Sequence, residues 1–206
     1  ILNHRIENAI ATHEKEYRDY LTRAYNRRGF VYMVERFLNH CEDRTRYGIL
    51  YFNIKNFKAT NELLGVKEGD CILQSFCKSI ERSFLHPVYT ARVEADHFVS
   101  FVERDRISLK KLEEFCNQIF EINNKKIRVH SRCGIFYLKD ENMPVAGMVD
   151  RARLAKQHIV DEYLKPYAVF DQKMDMEYID KAEIAAAFEE AIVNEELEVY
   201  YQPIVD

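Results

Sequence analysis

Short apolar runs alternate with amphipathic stretches along most of this chain. Residues 48–54 are almost entirely apolar, and such a short run predicts a strand that is buried on both faces. Residues 88–93 and 98–102 are two further apolar runs, separated by a few polar residues, which predicts a β-hairpin. Strands are also predicted at 126–137, after a turn at Asn123 and Asn124, and at 167–170.

Apolar residues at helical spacing occupy the segments between these strands. In residues 109–122, the side chains of Leu112, Phe115, Ile119 and Phe120 would fall on one side of a helix. Gly65 separates two short amphipathic segments and is suited to ending the first of them. The predicted helices are 1–20, 30–39, 57–64, 68–84, 109–122, 145–158 and 178–194.

The order of these elements predicts the fold class. A strand is followed by two helices, a hairpin, a helix, a strand, a helix and one closing strand. We expect an α/β (α+β) architecture with a ferredoxin-like core of the type that nucleotide cyclases and polymerase palms share. Its central sheet would have five mostly antiparallel strands, with helices on both faces.

The two ends of the chain predict attachments to this core. Residues 1–18 are polar with spaced apolar positions, which predicts a linker helix. Residues 197–205 alternate apolar and polar positions, which predicts a strand with no partner after it. We therefore expect a linker at 1–18, a domain at 19–172, and a segment at 173–206 that leads into a second domain.

Composition narrows the functional classes. The 206 residues are 47% hydrophobic, which is enough for a core, and the net charge of −4 arises from interspersed charges of both signs. This pattern argues against a nucleic-acid partner, and no apolar run approaches the roughly 18 residues that span a bilayer. The cysteines form no C-x-x-C pair, so we expect buried free thiols in a reducing cytoplasm rather than a metal or redox site.

Four segments carry a recognisable series of motifs. They contain, in chain order, Asp19, Leu21 and Thr22; Asn53, Asn61, Gly65 and Asp70; residues 92–98; and Asp150 with Lys156. In this order and spacing they resemble the GGDEF family, the diguanylate cyclase fold of bacteria. Residues 187–205 resemble the entry helix and first strand of an EAL domain, the cyclic-di-GMP phosphodiesterase fold. The resemblance implies a tandem GGDEF–EAL parent protein.

The resemblance implies a site that joins two GTP molecules with the help of cations held by carboxylates. The family signature Gly-Gly-acid-acid-Phe reads Glu94-Ala95-Asp96-His97-Phe98 here. Asn53 stands at the other metal-ligand position, and its uncharged amide should weaken Mg²⁺ binding, leaving Asp96 as a weak ligand. Glu94 and Ala95 bring Cβ atoms where glycines would let the backbone approach phosphate. We therefore expect no catalytic residues in this signature, and His97 is more typical of a turn than of a metal ligand.

Other positions match the family's nucleotide contacts. Asn61 and Asp70 correspond to the residues that read guanine, whose N1–H and N2–H₂ donors suit an amide oxygen and a carboxylate. Helix capping would explain the same two residues without a ligand. Lys58 and Lys156 correspond to phosphate contacts, although single lysines are common on solvated surfaces. Two expected motifs are absent: Val160 replaces an Arg after Lys156, and Leu85 and Val88 replace the product-inhibition motif Arg-x-x-Asp.

The sequence leaves three functions open. The first is a degenerate GGDEF module that regulates the adjacent EAL domain by binding GTP, with Mg²⁺ as a cofactor if GTP binds. The second is an active diguanylate cyclase in which Asp96, Glu62 and backbone carbonyls hold the metal. The third is a ligand-free dimerisation or interaction domain, whose terminal helices could pair with those of a second chain.

Overall fold

The computed structural model describes residues 16–139, 142–160, 164–194 and 196. The chain divides into two compact units, the first ending at Phe170 and the second beginning at Asp171. The first unit contains α1 (Arg27–Leu38), β1 (Tyr47–Ile54), α2 (Phe57–Leu64), α3 (Val66–Glu81), β2 (Tyr89–Glu94), β3 (His97–Glu103), α4 (Leu109–Phe115), β4 (Asn117–Ile122), β5 (Lys125–Tyr137), α5 (Val145–Gln157) and β6 (Tyr167–Val169). The second contains α6 (Gln172–Val193).

A mostly antiparallel sheet organises the first unit. Its strand order is β2-β3-β1-β5-β4, and β6 pairs with β5. The central strand β1 is antiparallel to both β3 and β5, and only the pairing of β5 with β6 is parallel. The predicted fold class is confirmed, but the predicted number of five strands is wrong because the described residues form a sheet of six.

Helices cover both faces of this sheet because β1 is apolar on both. Leu50 and Phe52 point into one core, which includes Ile72 and Phe76 of α3. Ile49 and Tyr51 point into the other core, which contains residues of α1 and α5. The alternation follows from the two-residue period of a strand, so odd-numbered β1 residues face α1 and α5.

The predicted helix at 109–122 is wrong in its second half. Helix α4 ends at Phe115, and β4 follows at Asn117–Ile122. Ile119, expected on a buried helical face, is 56% exposed, whereas Ile122 is buried. β4 forms a hairpin with β5 through the predicted turn, where Asn123 and Asn124 have φ of 53° and 62°. Two successive positive φ values are what a type I′ hairpin turn requires.

The other helices lie close to their predicted positions. Gly65 ends α2 with φ of 100°, a conformation that glycine adopts without a Cβ clash, and α3 begins directly after it. Asn26 caps α1, since its side-chain oxygen accepts a hydrogen bond from the Gly29 backbone N–H. Helix α6 begins six residues earlier than the predicted 178–194.

The predicted N-terminal helix and the predicted C-terminal strand lie almost wholly outside the described residues. Of the predicted helix at 1–20, the structure describes 16–20, of which Glu16 and Tyr17 are helical, and Arg18 forms an isolated bridge with Tyr25. The predicted strand at 197–205 is outside the described part entirely. Among the described helices, none combines the length and apolarity that crossing a bilayer requires.

All five cysteines are free thiols, but they are not all buried as predicted. Cys77, Cys116 and Cys133 are buried, whereas Cys41 and Cys71 are partly exposed. Burial raises the pKa of Cys77 to about 12 and that of Cys116 to about 12, and it also raises the pKa of Cys133. These three thiols therefore remain protonated at pH 8.

This difference predicts two classes of thiol reactivity. At pH 8 we expect Cys41 and Cys71 to react with a disulfide reagent such as DTNB in the native protein, because the thiolate is the nucleophile and needs access. Cys77, Cys116 and Cys133 should react only after unfolding in urea. Mass spectrometry of the labelled peptides would identify the sites, and rapid native labelling of Cys133 would contradict the described core.

Candidate functional site

The β2–β3 hairpin presents the degenerate signature at one end of the sheet. Glu94 pairs with His97, so Ala95 and Asp96 form the turn. Ala95 has φ of 37°, in the left-handed region that a Cβ disfavours. The pairing register shifts between Arg92 and Glu94, which marks a β-bulge beside the turn.

Arg92 connects this turn to the opening motif of the chain. Its Nε donates to the Ala95 carbonyl oxygen at 2.6 Å, and its Nη1 lies 3.4 Å from Asp19 Oδ1. The Asp19 carboxylate also accepts hydrogen bonds from the backbone N–H and the hydroxyl of Thr22. Only 13% of the Arg92 side-chain surface and 14% of the Asp19 side-chain surface are exposed. This largely buried ion pair holds the turn in place.

The strained turn leads to a prediction for stability. Ala95→Gly should raise the free energy of unfolding by about 1 kcal/mol, because glycine removes the left-handed Cβ penalty of about 1–2 kcal/mol and loses part of that gain through its more flexible unfolded state. Urea unfolding would measure the change. Ala187→Gly, on an exposed position of α6, should instead lower stability by about 1 kcal/mol. Destabilisation by Ala95→Gly would contradict the described turn.

Asn53 lies at the end of β1 and is held by both neighbouring strands. It pairs in register with His97 on β3 and with Arg132 on β5. Its Nδ2 donates to Asp96 Oδ2 at 2.7 Å, and its Oδ1 accepts from Arg132 Nη2 at 3.4 Å. The Asn53 side chain is thus an amide bridge between a carboxylate and a guanidinium, in a position that is only 8% exposed.

The electrostatics around Asp96 reflect partial burial and nearby positive charge. Burial raises the pKa of Asp96, while the charges of His97, Lys156 and Arg92 oppose that rise. Burial lowers the pKa of His97, and burial together with Arg132 and Arg153 lowers the pKa of Lys156. Lys156 Nζ lies 5.8 Å from the centroid of the Tyr51 ring, which itself lies 5.5 Å from the His97 ring.

Asn61 lies at a second position, where α2 packs on α3. A Cβ added at Gly69 would overlap Asn61 Oδ1, so the glycine allows this amide to lie against the α3 backbone. Asn61 Oδ1 is buried and has no hydrogen-bond partner among the described residues. A buried acceptor without a partner is unfavourable unless a ligand supplies the donor. Asp70 follows Gly69 directly on α3 and is partly exposed.

The match to a known family covers most of the first unit. A family model described as "Diguanylate cyclase, GGDEF domain" matches residues 16–159. The chain belongs to the GGDEF family. The four segments that resemble the GGDEF family lie within that match, including the Asp19–Thr22 opening segment and Lys156 on α5. The EAL-like segment at 187–205 lies outside it.

Curated relatives of this GGDEF domain are much longer proteins. The bifunctional diguanylate cyclase/cyclic di-GMP phosphodiesterase MucR of Pseudomonas aeruginosa is 24% identical over 168 residues, which are 79% of this chain and 24% of MucR. The cyclic di-GMP phosphodiesterase PdeR of Escherichia coli is 22% identical over 192 residues, which are 90% of this chain and 29% of PdeR. The chain thus spans less than a third of these relatives.

Solved structures agree with the fold. The coiled coil and GGDEF domain of DgcB from Caulobacter crescentus, in complex with c-di-GMP, has a TM-score of 0.65 at 17% identity, covering 82% of this chain and 93% of that one. The FimX GGDEF domain from Pseudomonas aeruginosa has a TM-score of 0.59 at 17% identity, covering 68% and 91%. At this identity the likeness shows the fold alone, a mixed α+β domain with an antiparallel sheet.

The divalent cation that the family implies does not fit the residues at this GGDEF domain's signature. Asn53 directs its amide N–H₂ toward Asp96, so the two side chains bond to each other and do not converge on a shared position for a metal ion. Hard cations need several oxygen ligands, usually charged. Among the described residues there is no group of three His, Cys, Asp or Glu side chains that could hold a metal ion.

The remaining predicted positions differ in their surroundings. Lys58, on α2, is exposed, as is Glu62, the predicted alternative metal ligand. Leu85, where the family's product-inhibition Arg would stand, is fully buried, and Val88 is 37% exposed. Val160, in place of the Arg expected after Lys156, is fully exposed. The nucleotide roles of Lys58, Lys156, Asn61 and Asp70 stay predictions.

Sequence reasoning missed Arg132, the residue that contacts Asn53. The signal available in the sequence was a single charge inside the largely apolar stretch from Val129 to Phe136. Its importance depends on the register of β1 against β5, which joins residues 79 positions apart. Arg92 was noted only as part of the signature, and its ion pair with Asp19 also depends on tertiary structure.

Proposed function

We propose that this domain is a catalytically inactive GGDEF module of cyclic-di-GMP signalling that binds GTP and regulates a phosphodiesterase domain in the same protein. The hydrogen bond between Asn53 and Asp96 is the observation that carries the loss of catalysis. Catalysis would need a second carboxylate that holds the cation together with Asp96. The Asn53 amide occupies that place and donates a hydrogen bond to Asp96 instead.

The unsatisfied amide oxygen of Asn61 supports nucleotide binding. Guanine offers N1–H and N2–H₂ donors along one edge, and Asn61 Oδ1 is a buried acceptor without a partner among the described residues. Adenine offers an acceptor, its N1, at the corresponding place, so the same site should reject ATP. A site built to hydrogen-bond one partner discriminates against an analogue that leaves its buried polar group unpaired.

The relatives support the regulatory part of the proposal. MucR is named as both a cyclase and a phosphodiesterase, and PdeR as a phosphodiesterase, and this chain matches only a part of each. A GTP-binding module beside an EAL domain would regulate it if GTP had different affinities for two arrangements of the domains. The predicted EAL segment at 173–206 would be the connection, in a cytoplasmic part of the parent protein.

Product analysis tests the loss of catalysis. The protein incubated with GTP and Mg²⁺ or Mn²⁺ should form no cyclic-di-GMP detectable by chromatography, at concentrations where a working cyclase would convert most of the GTP. A diguanylate cyclase that carries the complete family signature, assayed in parallel, serves as the positive control. Formation of cyclic-di-GMP by the unaltered chain would contradict the proposal and support the active-cyclase alternative.

A further inference from the structure

Arg132 places a fixed positive charge beside the position where the family would hold its cation. It lies on β5 directly across from Asn53, and its Nη2 is 3.4 Å from Asn53 Oδ1. The contact fixes the orientation of the Asn53 amide, because the oxygen faces Arg132 and the nitrogen faces Asp96. A divalent cation beside Asp96 would meet the amide N–H₂, which repels it, and the Arg132 guanidinium across the same amide adds a second positive charge to the site.

Arg132 and Lys156 lie over the same face of the sheet. Residues two apart on a strand point the same way, so Arg132 shares its face with Gly134. A Cβ at Gly134 would overlap the Ala152 carbonyl oxygen and approach the Lys156 backbone N, so α5 lies directly against this face. Burial lowers the pKa of Lys156 most, and Arg132 and Arg153 lower it further, as expected for neighbouring cations.

We propose that Arg132 replaces the divalent cation as the fixed positive charge of this site, so that it holds the phosphates of a nucleotide without metal. The inference rests on the proposed function, because it concerns how the nucleotide is held. A guanidinium suits this role since its planar set of donors matches phosphate oxygens and its charge does not titrate. Asp96 lies on the other side of the Asn53 amide, and its hydrogen bond to Asn53 partly screens its negative charge.

Calorimetric titration with GTP and with tripolyphosphate, each in EDTA and in Mg²⁺, tests the inference. The unaltered protein should bind both probes in EDTA. Arg132→Gln should weaken both by about tenfold or more, since charge-assisted hydrogen bonds to phosphate are lost. Arg132→Lys keeps the charge but loses the planar set of donors, so it should weaken binding less than Arg132→Gln does. Arg46→Ser removes an exposed Arg just before β1, at the opposite end of that strand from Asn53, and should change nothing.

A second pair of variants separates the charge of Arg132 from a merely structural role. In Asn53→Asp, the new carboxylate should form an ion pair with Arg132 and bind no metal. In the double variant Asn53→Asp with Arg132→Ser, two carboxylates face each other without the guanidinium, so Mn²⁺ alone should bind, measured by loss of the free-ion EPR signal. Thermal melts would show that each variant is folded, and Mn²⁺ binding by Asn53→Asp alone would contradict the inference.

The outcomes distinguish this inference from the proposed function. If GTP binds only with Mg²⁺, or if Arg132→Gln binds GTP normally, the inference fails and GTP sensing survives. If tripolyphosphate binds in an Arg132-dependent way but GTP is not preferred over ATP, the inference holds and GTP sensing fails. If neither probe binds under any condition, both are overturned.

Discussion

Phe76→Ala is expected to lower the free energy of unfolding by about 4 kcal/mol, in the range measured for large-to-small changes at buried aromatic positions. Phe76 lies on α3 and is 1% exposed. Its ring centroid is 5.3 Å from that of Phe98, 6.1 Å from that of Phe115 and 6.2 Å from that of Phe52. Removing the ring would leave a cavity among side chains from β1, β3 and α4.

Urea unfolding followed by circular dichroism would measure this loss. Phe188→Ala provides the matched control, because Phe188 on α6 is 54% exposed and its truncation should change stability by no more than about 0.5 kcal/mol. The position also bears on function, since Phe98 belongs to the signature hairpin and packs against Phe76. A loss below about 1.5 kcal/mol for Phe76→Ala would show that α3 does not pack on the sheet as described.

Gly134→Ala is expected to cost about 3 kcal/mol, at the upper end of the range for overpacking. An added Cβ would overlap the Ala152 carbonyl oxygen and crowd the Lys156 backbone. These are backbone atoms of a helix that cannot move aside individually, so α5 would have to shift away from the sheet. Because α5 carries Lys156, the variant should also bind GTP more weakly if Lys156 contacts phosphate.

Gly147→Ala is the matched control on the same helix. A Cβ there would meet Met143 Cγ at 3.5 Å and Arg151 Nη1 at 3.7 Å, which are ordinary contacts. Alanine favours a helix over glycine, so this variant should gain up to about 1 kcal/mol. Thermal and urea unfolding of both variants would measure the contrast, and equal stability of the two would contradict the close approach of α5 to β5.

Local sequence patterns were sufficient to predict the elements whose structure is determined by residues adjacent in sequence. The apolar run that became β1, the glycine between α2 and α3, and the Asn123–Asn124 turn are each determined by a few adjacent residues. The segment at 117–122 failed because its apolar residues fit both a helical and a strand period, and pairing with β5 decided between them. The hydrogen bonds that this segment forms with β5 then outweigh its local preference for a helix.

The candidate site depended on tertiary register in the same way. The family motifs predicted that Asn53 and Asp96 lie together. They could not predict the hydrogen bond between the two side chains, because side-chain orientation follows from packing. Arg132 could not be placed at all, since its contact with Asn53 requires β1 and β5 to be neighbours in one specific register. An error of one residue in that register would turn Arg132 to the opposite face.

The central claim is that this GGDEF domain has kept guanine recognition without catalysis, and calorimetric titration with GTP tests it most directly. We expect saturable binding of GTP, little or no binding of ATP, and no cyclic-di-GMP in the sample afterwards. Asn61→Ala should abolish the preference for GTP, whereas Asn39→Ala, on an exposed position after α1, should not affect it. No heat with either nucleotide would contradict the claim and leave a ligand-free interaction domain, and cyclic-di-GMP in the sample would identify an active cyclase.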